Sequence, residues 1–193
     1  LAGDDTLTIR HVAEDGTTTA LKEGLKVLEG EVVGATVMRA ASLDAFLREQ
    51  VARAKAEDLL FSVHHKATMM KVSDPIIFGF AVRTFFRDVF DKHAAAFKEI
   101  GVGPNNGLGD LYAGIKRLPK DKQAEIEADI QASYGQRPAL AMVNSDKGIT
   151  NLHVPSDMII HASIPPMIRD SGQLWAPDGK LREAKAVIPD HSY

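Results

Sequence analysis

A segment rich in histidine and lysine is the strongest candidate for chemistry in this sequence. It reads His64-His65-Lys66-Ala67-Thr68-Met69-Met70-Lys71. It follows the apolar run 59–63, which is typical of a buried strand, and open α/β sheets place their ligand crevice at the carboxyl ends of such strands. Imidazole and amine groups at that position can bind an anionic substrate or transfer protons. A solvated loop after a strand would have the same composition, so the residues alone leave both interpretations open.

Asp157 and His161 form a second candidate site. They lie four residues apart on a predicted helix that Ser156 can cap. Residues at this spacing share one helix face. A carboxylate beside an imidazole suits a metal ion that takes its remaining ligands from elsewhere in the fold. An ordinary surface pair has the same spacing, and the pattern does not separate the two.

The glycines at 101, 103 and 107 resemble a dinucleotide-binding loop only superficially. Their spacing differs from GxGxxG, and the loop follows a predicted helix instead of a strand. A turn is therefore favoured over a phosphate site. The sequence also contains no GxxxxGK, HExxH or GxSxG motif.

The elements that must position these groups alternate between strand and helix. The predicted strands are 6–12, 17–21, 31–38, 59–63, 140–143 and 184–188, and the predicted helices are 42–57, 73–97, 119–134 and 157–164. Glu14-Asp15-Gly16 joins the first two strands as a hairpin. The alternation predicts an α/β fold, and the hairpin makes its sheet mixed, with helices packed on it.

Two of the predicted helices carry the expected core. Ser42 is expected to cap the first, and Ser73-Asp74-Pro75 is a typical start for the second. The apolar stripe of the first helix consists of Leu43, Phe46, Leu47, Val51 and Ala54. The buried face of the second consists of Phe78, Val82, Phe85, Phe86, Val89 and Phe97.

Composition narrows the class of protein. The 193 residues are 45% hydrophobic and 25% charged, with a net charge of -3 and no cysteine. These values are typical of a globular domain and give no general basic surface for nucleic acid. No apolar stretch is long enough to cross a membrane, and the first residues do not form a secretory signal. Without cysteines, disulfides and cysteine-type zinc sites are excluded, and a cytoplasmic location is expected.

Four long stretches resemble one known family. They are LLFSVHHKATMMKVSDPIIFGFAV, GVGPNNGLGDLY, NSDKGITNLHVPSDMIIHASIPPMIR and KAVIPDHSY. In this order they closely resemble blocks of the monomeric-type NADP-dependent isocitrate dehydrogenases, whose complete chains are several times longer. The resemblance implies that residues 1–193 form a single α/β domain similar to the first half of the large region of that family.

The resemblance also implies site residues. Lys66 matches the family's catalytic lysine, which contacts the substrate and takes part in proton transfer. His161 stands where the family has an aspartate that binds Mg²⁺ or Mn²⁺. Because imidazole suits softer ions, this departure favours a transition metal such as Zn²⁺, with Asp157 as a neighbouring ligand. His65, Phe80 and His191 depart from the usual Leu, His and Ser.

Other parts of the family's site have no match in these residues. They are its catalytic tyrosine, two further metal-binding aspartates, its NADP contacts and several arginines, and none of Tyr112, Tyr134 and Tyr193 can be assigned the tyrosine's role. The first hypothesis is therefore a domain derived from an enzyme that converts isocitrate to 2-oxoglutarate, incomplete for catalysis alone.

The alternative hypothesis is a module without catalysis, natural or engineered, that binds a metal or a small anion such as a tricarboxylate, or assembles with itself. A homo-oligomer is expected because the family's large region contains a duplication that imitates a dimer. Neither hypothesis involves nucleic acid or a membrane.

Overall fold

The computed structural model describes residues 1–35, 37–64, 73–155 and 164–189. The chain forms two compact units, Leu1–Val37 and Met38–Tyr193. Among the described residues, no helix combines the length and the apolar character that a membrane span requires. The structure is mixed α/β, as the alternation of elements predicts. That residues 1–193 act as a single domain stays a prediction.

The first unit is a β-hairpin. Strand β1 (Asp5–Val12) pairs antiparallel with β2 (Thr18–Val27). Gly16 lies in the connecting turn with a φ of 83°, which confirms the role expected for Asp15-Gly16. The strand predicted at 31–38 is wrong: the described residues of that range form no strand, and Val32 is 94% exposed. A β-rich run without a pairing partner gains no ladder of hydrogen bonds.

The second unit contains the sheet that leads to the candidate site. Strand β3 (Leu60–Val63) pairs parallel with β7 (Leu181–Val187), and β7 pairs antiparallel with β6 (Gln173–Trp175). On the other side of β3, Phe61 forms a parallel bridge with Leu140. All four residues of β3 are buried. β3 is therefore a buried strand, as the continuous apolar run predicts, and the strand order is β3-β7-β6. The sheet is mixed because β6 runs antiparallel to β7. The prediction that the hairpin makes this sheet mixed is wrong, since β1 and β2 pair with each other in a separate sheet.

The predicted strand 140–143 is only partly correct. Leu140 is buried, but the strand β4 covers Met142–Asn144 and pairs with β5 (Ile149–Thr150) in a separate two-stranded sheet. Val143 is 53% exposed. The chain thus leaves the sheet of β3 after Ala141. The backbone N–H of Val63, on that side of β3, then bonds to a different residue.

Helices complete the second unit, and the first of them packs against β3 and β7. They are α1 (Ala40–Ala56), α2 (Ser73–Phe85), α3 (Arg87–Lys92), α4 (Ala94–Glu99), the 3₁₀ turn Pro104–Asn106, α5 (Gly107–Ile115), α6 (Lys120–Gln136) and α7 (Ile164–Arg169). Ser42 is not the cap of α1, since the helix already begins at Ala40 and Arg39 holds the cap position without a side-chain bond. Phe46 is 38% exposed, whereas the other four residues of the predicted stripe are buried.

The single helix predicted over 73–97 is wrong, because the chain bends at Phe86 and at His93. The bends separate α2, α3 and α4. All six predicted core residues are nevertheless buried. The bends let Phe86 pack edge-on against Tyr134, with ring centroids 5.4 Å apart, and they bring Phe90 within 5.3 Å of Phe97. Such ring pairs stabilise the core beyond the area they bury, and they accompany the interruption of the helical period.

Candidate functional site

The candidate catalytic and metal-binding residues lie outside the described part of the chain, whereas Phe80 lies within it. Residues 65–72, 156–163 and 190–193 are not described, so this applies to His65, Lys66, Asp157, His161 and His191. The helix predicted over 157–164 is likewise outside, apart from Ile164. The structure does describe the residues that flank 65–72 and those that precede 156–163. His64 ends the part before Lys66, and residues 151–155 lead to Asp157.

The carboxyl end of β3 is fixed on both sides. On one side, the backbone N–H of His64 donates to the carbonyl of Val187 at 2.8 Å. On the other side, the N–H of Val63 donates to Oδ1 of Asn151 at 2.6 Å. Asn151 is only 7% exposed. The start of the Lys66 segment and the turn that leads toward Asp157 are therefore joined by a buried hydrogen bond.

His64 adds a buried polar contact at the same end. It is 2% exposed, and its Nε2 lies 2.9 Å from the hydroxyl of Ser62, which is also 2% exposed. Residues two apart on a strand share one face, so this pair follows from strand geometry. Buried polar groups persist where they are hydrogen-bonded. The first histidine of the candidate segment thus belongs to the packed end of the strand, not to a solvated loop.

A buried carboxylate follows the same segment. Asp74, which is 4% exposed, lies in the first turn of α2. A negative side chain in this turn interacts favourably with the helix dipole. The start of α2 at Ser73 confirms the helix start predicted there. His64 and Asp74 are therefore both held in the packed interior, one on each side of residues 65–72.

The glycine-rich loop does not form a phosphate site. The N–H of Leu108 donates to the carbonyl of Leu152 at 3.2 Å, and the N–H of Gly109 donates to that of His153 at 2.8 Å. The amides that a phosphate would need at the start of α5 are therefore used by the chain itself. This supports the interpretation of the loop as a turn. The turn also holds residues 152 and 153, which precede Asp157 in the sequence.

Gly107 is the residue that permits this contact. Its φ is 78°, and a Cβ there would collide with the carbonyl oxygen of His153. We expect Gly107→Ala to destabilise the chain by about 2 kcal/mol or more, because strain and overpacking add. That corresponds to a fall of about 4–8 °C in Tm for a chain of this size, measured by thermal unfolding.

Gly148→Ala is the matched control for that substitution. Gly148 also has a positive φ, 65°, but a Cβ there would meet open space. We expect only the conformational cost, about 1 kcal/mol, and so a fall of about 2–4 °C in Tm. Equal losses of Tm in the two variants would contradict the close contact at His153.

The described residues of the second unit line several cavities, of which two have volumes of about 600 Å³ or more. One, of about 680 Å³, is bordered by α1 and α2 and includes Phe80 and the side chains of Arg48 and Asp44. A hydrogen bond from Arg48 holds the pKa of Asp44 below its usual value. The other, of about 600 Å³, is lined by Tyr112, Tyr134, Lys147, Thr150, His153 and other residues. Burial raises the pKa of both tyrosines. Of these two cavities, the second is the one whose described lining includes residues of the turn that carries Asn151.

Within the described ranges, one group of three residues has metal-ligand geometry. His93, Glu125 and Asp129 bring their ligand atoms within 4.8 Å of one another. Lys92 already lies 2.8 Å from Asp129 and 3.1 Å from Glu125, and Lys122 lies 2.7 Å from Glu125. Hydrogen bonds from these lysines lower the pKa of both carboxyls, and His93 contributes at Asp129. The group is an ion-paired contact between α6 and the α3–α4 junction.

Reasoning from the sequence missed Asn151, Ser62 and the function of Gly107. The available signals were weak. Asn151 follows the short strand β5 and precedes the apolar Leu152. A polar side chain is buried at such a position only if it has hydrogen-bond partners. Ser62 interrupts an apolar run that is otherwise continuous. Gly107 follows two asparagines, which indicates a turn but not what the turn contacts.

Comparison with known proteins gives a consistent result. The family model described as monomeric isocitrate dehydrogenase matches residues 1–193. An isocitrate dehydrogenase [NADP] from Azotobacter vinelandii is 59% identical over 185 residues, which are 96% of this chain and 25% of the relative. An isocitrate dehydrogenase [NADP] 2 from Colwellia maris is 54% identical over 191 residues, 99% of this chain and 26% of the relative. The chain thus spans about a quarter of the length of these relatives.

Proposed function

The chain belongs to the monomeric isocitrate dehydrogenase family, and from this we propose that it contributes one part of an NADP-dependent enzyme that converts isocitrate to 2-oxoglutarate. The observation that carries the proposal is the match over all 193 residues, together with identities of 59% and 54% to relatives named as NADP enzymes. The buried end of β3 supports it, since it anchors the segment that contains Lys66.

In this proposal Lys66 acts on the substrate. Its ammonium group attracts the carboxylates of isocitrate. Its neutral amine accepts the proton of the substrate hydroxyl, and the resulting ammonium group later returns a proton to the enol product. NADP⁺, when bound, accepts the hydride. The described residues include none that we assign to the nicotinamide cofactor, so the chain's contribution is to substrate binding and proton transfer.

The ligands proposed for a divalent metal fit Mg²⁺ poorly. Asp157 offers a carboxylate, but His161 offers an imidazole nitrogen, and Mg²⁺ favours oxygen ligands and water. The two residues together suit Zn²⁺ and similar ions better. We assign the metal no step of the reaction in this chain.

A chimera tests the proposed function. Residues 1–193 replace the matching quarter of the Azotobacter vinelandii relative, in the His161 form and as His161→Asp. We expect formation of NADPH from isocitrate and NADP⁺ with Mn²⁺, followed by absorbance, in at least the His161→Asp chimera. The 193 residues alone should show no turnover. If both chimeras lack turnover, the proposed function is contradicted. If the 193 residues alone show turnover, the proposal that they are incomplete for catalysis is contradicted.

We also propose that the 193 residues self-associate and that they function in the cytoplasm, which the lack of cysteine supports. The hairpin unit exposes large apolar side chains, including Ile9, Val12, Leu21 and Val32 at 51%, 64%, 65% and 94%. Unpaired strand edges with such side chains favour association. Sedimentation at micromolar concentration should show an oligomer. A monomer that binds little hydrophobic dye would contradict self-association.

A further inference from the structure

Asn151 interrupts the hydrogen-bond ladder at the end of β3 in a specific way. In a regular parallel ladder every second residue of one strand uses both its N–H and its C=O on the same neighbour. Phe61 does this: its N–H donates to Ala139 at 2.8 Å, and its C=O accepts from Ala141 at 3.0 Å. The next bond in the ladder would join the N–H of Val63 to the C=O of Ala141.

That bond is replaced by two bonds to Asn151. The C=O of Ala141 accepts from the backbone N–H of Asn151 at 2.8 Å, and the N–H of Val63 donates to the side-chain Oδ1 of Asn151 at 2.6 Å. One residue is thus inserted between the two strands where the second strand turns away toward β4. A buried N–H at this point would otherwise lack a partner, at a cost of about 1–3 kcal/mol.

The inserted residue controls the direction in which β3 ends. Val63 is held by Asn151 and His64 by Val187, so the last two residues before position 65 are fixed on opposite sides of the strand. Lys66 follows Val63 by three residues, and three residues span at most about 11 Å. The direction in which the chain leaves Val63 is therefore set close to Lys66 along the sequence.

We propose that Asn151 is a positioning residue for the reaction: its side-chain oxygen sets the direction in which β3 ends, three residues before Lys66 in the sequence. The inference rests on the proposed function and adds to it a residue that makes no assigned contact with substrate. It also explains why the turn at 150–153 is itself anchored, through Leu152 and His153, to the start of α5.

The test uses the active chimera defined above with Asn151→Ala, Asn151→Asp and Asn144→Ala. Aspartate keeps the oxygen that accepts from Val63, whereas alanine removes it. We expect Asn151→Ala to lower kcat about 10²-fold, the loss typical of small misplacements of a reacting group. Asn151→Asp should restore kcat to within about tenfold of the parent chimera, since the acceptor is retained.

Asn144→Ala is the matched control. Its Oδ1 also accepts from a backbone N–H, that of Lys147 at 3.0 Å, but this hydrogen bond is exposed and does not involve β3. We expect its kcat to be unchanged. The inference is overturned if Asn151→Ala retains kcat within threefold, if Asn151→Asp loses as much as Asn151→Ala, or if the control loses as much as either.

A second measurement separates this inference from the proposed function. Amide hydrogen exchange in the 193-residue chain should be faster at Val63 in Asn151→Ala, with the amide of Ile130 in α6 unchanged. Unchanged exchange at Val63 overturns the positioning role by itself. Inactive chimeras with faster exchange at Val63 would instead contradict the proposed function, and with it the link to Lys66.

Discussion

Lys66→Gln in the active chimera is expected to lower kcat for isocitrate oxidation by about 10²–10⁴-fold, the contribution typical of a general acid or base. Glutamine keeps much of the side-chain length but neither holds a positive charge nor exchanges a proton. Formation of NADPH, measured by absorbance at saturating isocitrate, gives kcat directly.

Lys66→Arg distinguishes the two roles proposed for the lysine. Arginine keeps the positive charge that attracts carboxylates, but it does not lose a proton in proteins. If Lys66 transfers a proton, Lys66→Arg should lose as much kcat as Lys66→Gln while KM rises less. Recovery of kcat by arginine would limit the role of Lys66 to binding.

Lys98→Gln is the control for these variants. Lys98 is exposed in the last turn of α4, and its replacement removes the same charge far from the end of β3 along the chain. We expect no change in kcat. A Lys66→Gln chimera that keeps kcat within tenfold of its parent would contradict the catalytic assignment.

Sequence patterns predicted the strand at 59–63 and the aromatic core correctly, because the side chains of both are buried. The run 59–63 indicates a strand covered on both faces, and Leu60–Val63 is such a strand. The phenylalanines after Ser73 indicate the core, and they are buried. In both cases the side chains are apolar, and the hydrophobic effect favours their burial whatever the distant contacts are.

The predictions failed where a distant contact decides the local structure. No glycine or proline stands at the bends at Phe86 and His93, where rings contact Tyr134 and where Phe90 contacts Phe97. The separation of Val63 from Asn151 is 88 residues, and no period or spacing along the chain relates them. Framework residues of the candidate site are therefore visible only in the folded structure.

His161 is expected to reverse the metal preference usual for a carboxylate at its position. In calorimetric titration, the 193-residue chain should bind Zn²⁺ and show no measurable binding of Mg²⁺, because imidazole is a good ligand for Zn²⁺ and a poor one for Mg²⁺. His161→Asp should weaken Zn²⁺ binding about tenfold or more. In the chimera it should raise turnover with Mg²⁺.

Two controls make that titration specific to His161. His11→Asp makes the same change at an exposed residue of the hairpin unit and should leave Zn²⁺ affinity unchanged. Glu125→Gln removes a ligand from the ion-paired group of His93, Glu125 and Asp129, which could bind added Zn²⁺ if its lysines were displaced. If Glu125→Gln abolishes Zn²⁺ binding while His161→Asp leaves it intact, the ion binds at α6 and the assignment of His161 is wrong. If neither the parent chain nor any variant binds Zn²⁺, His161 is a substitution that removes a metal ligand without supplying another.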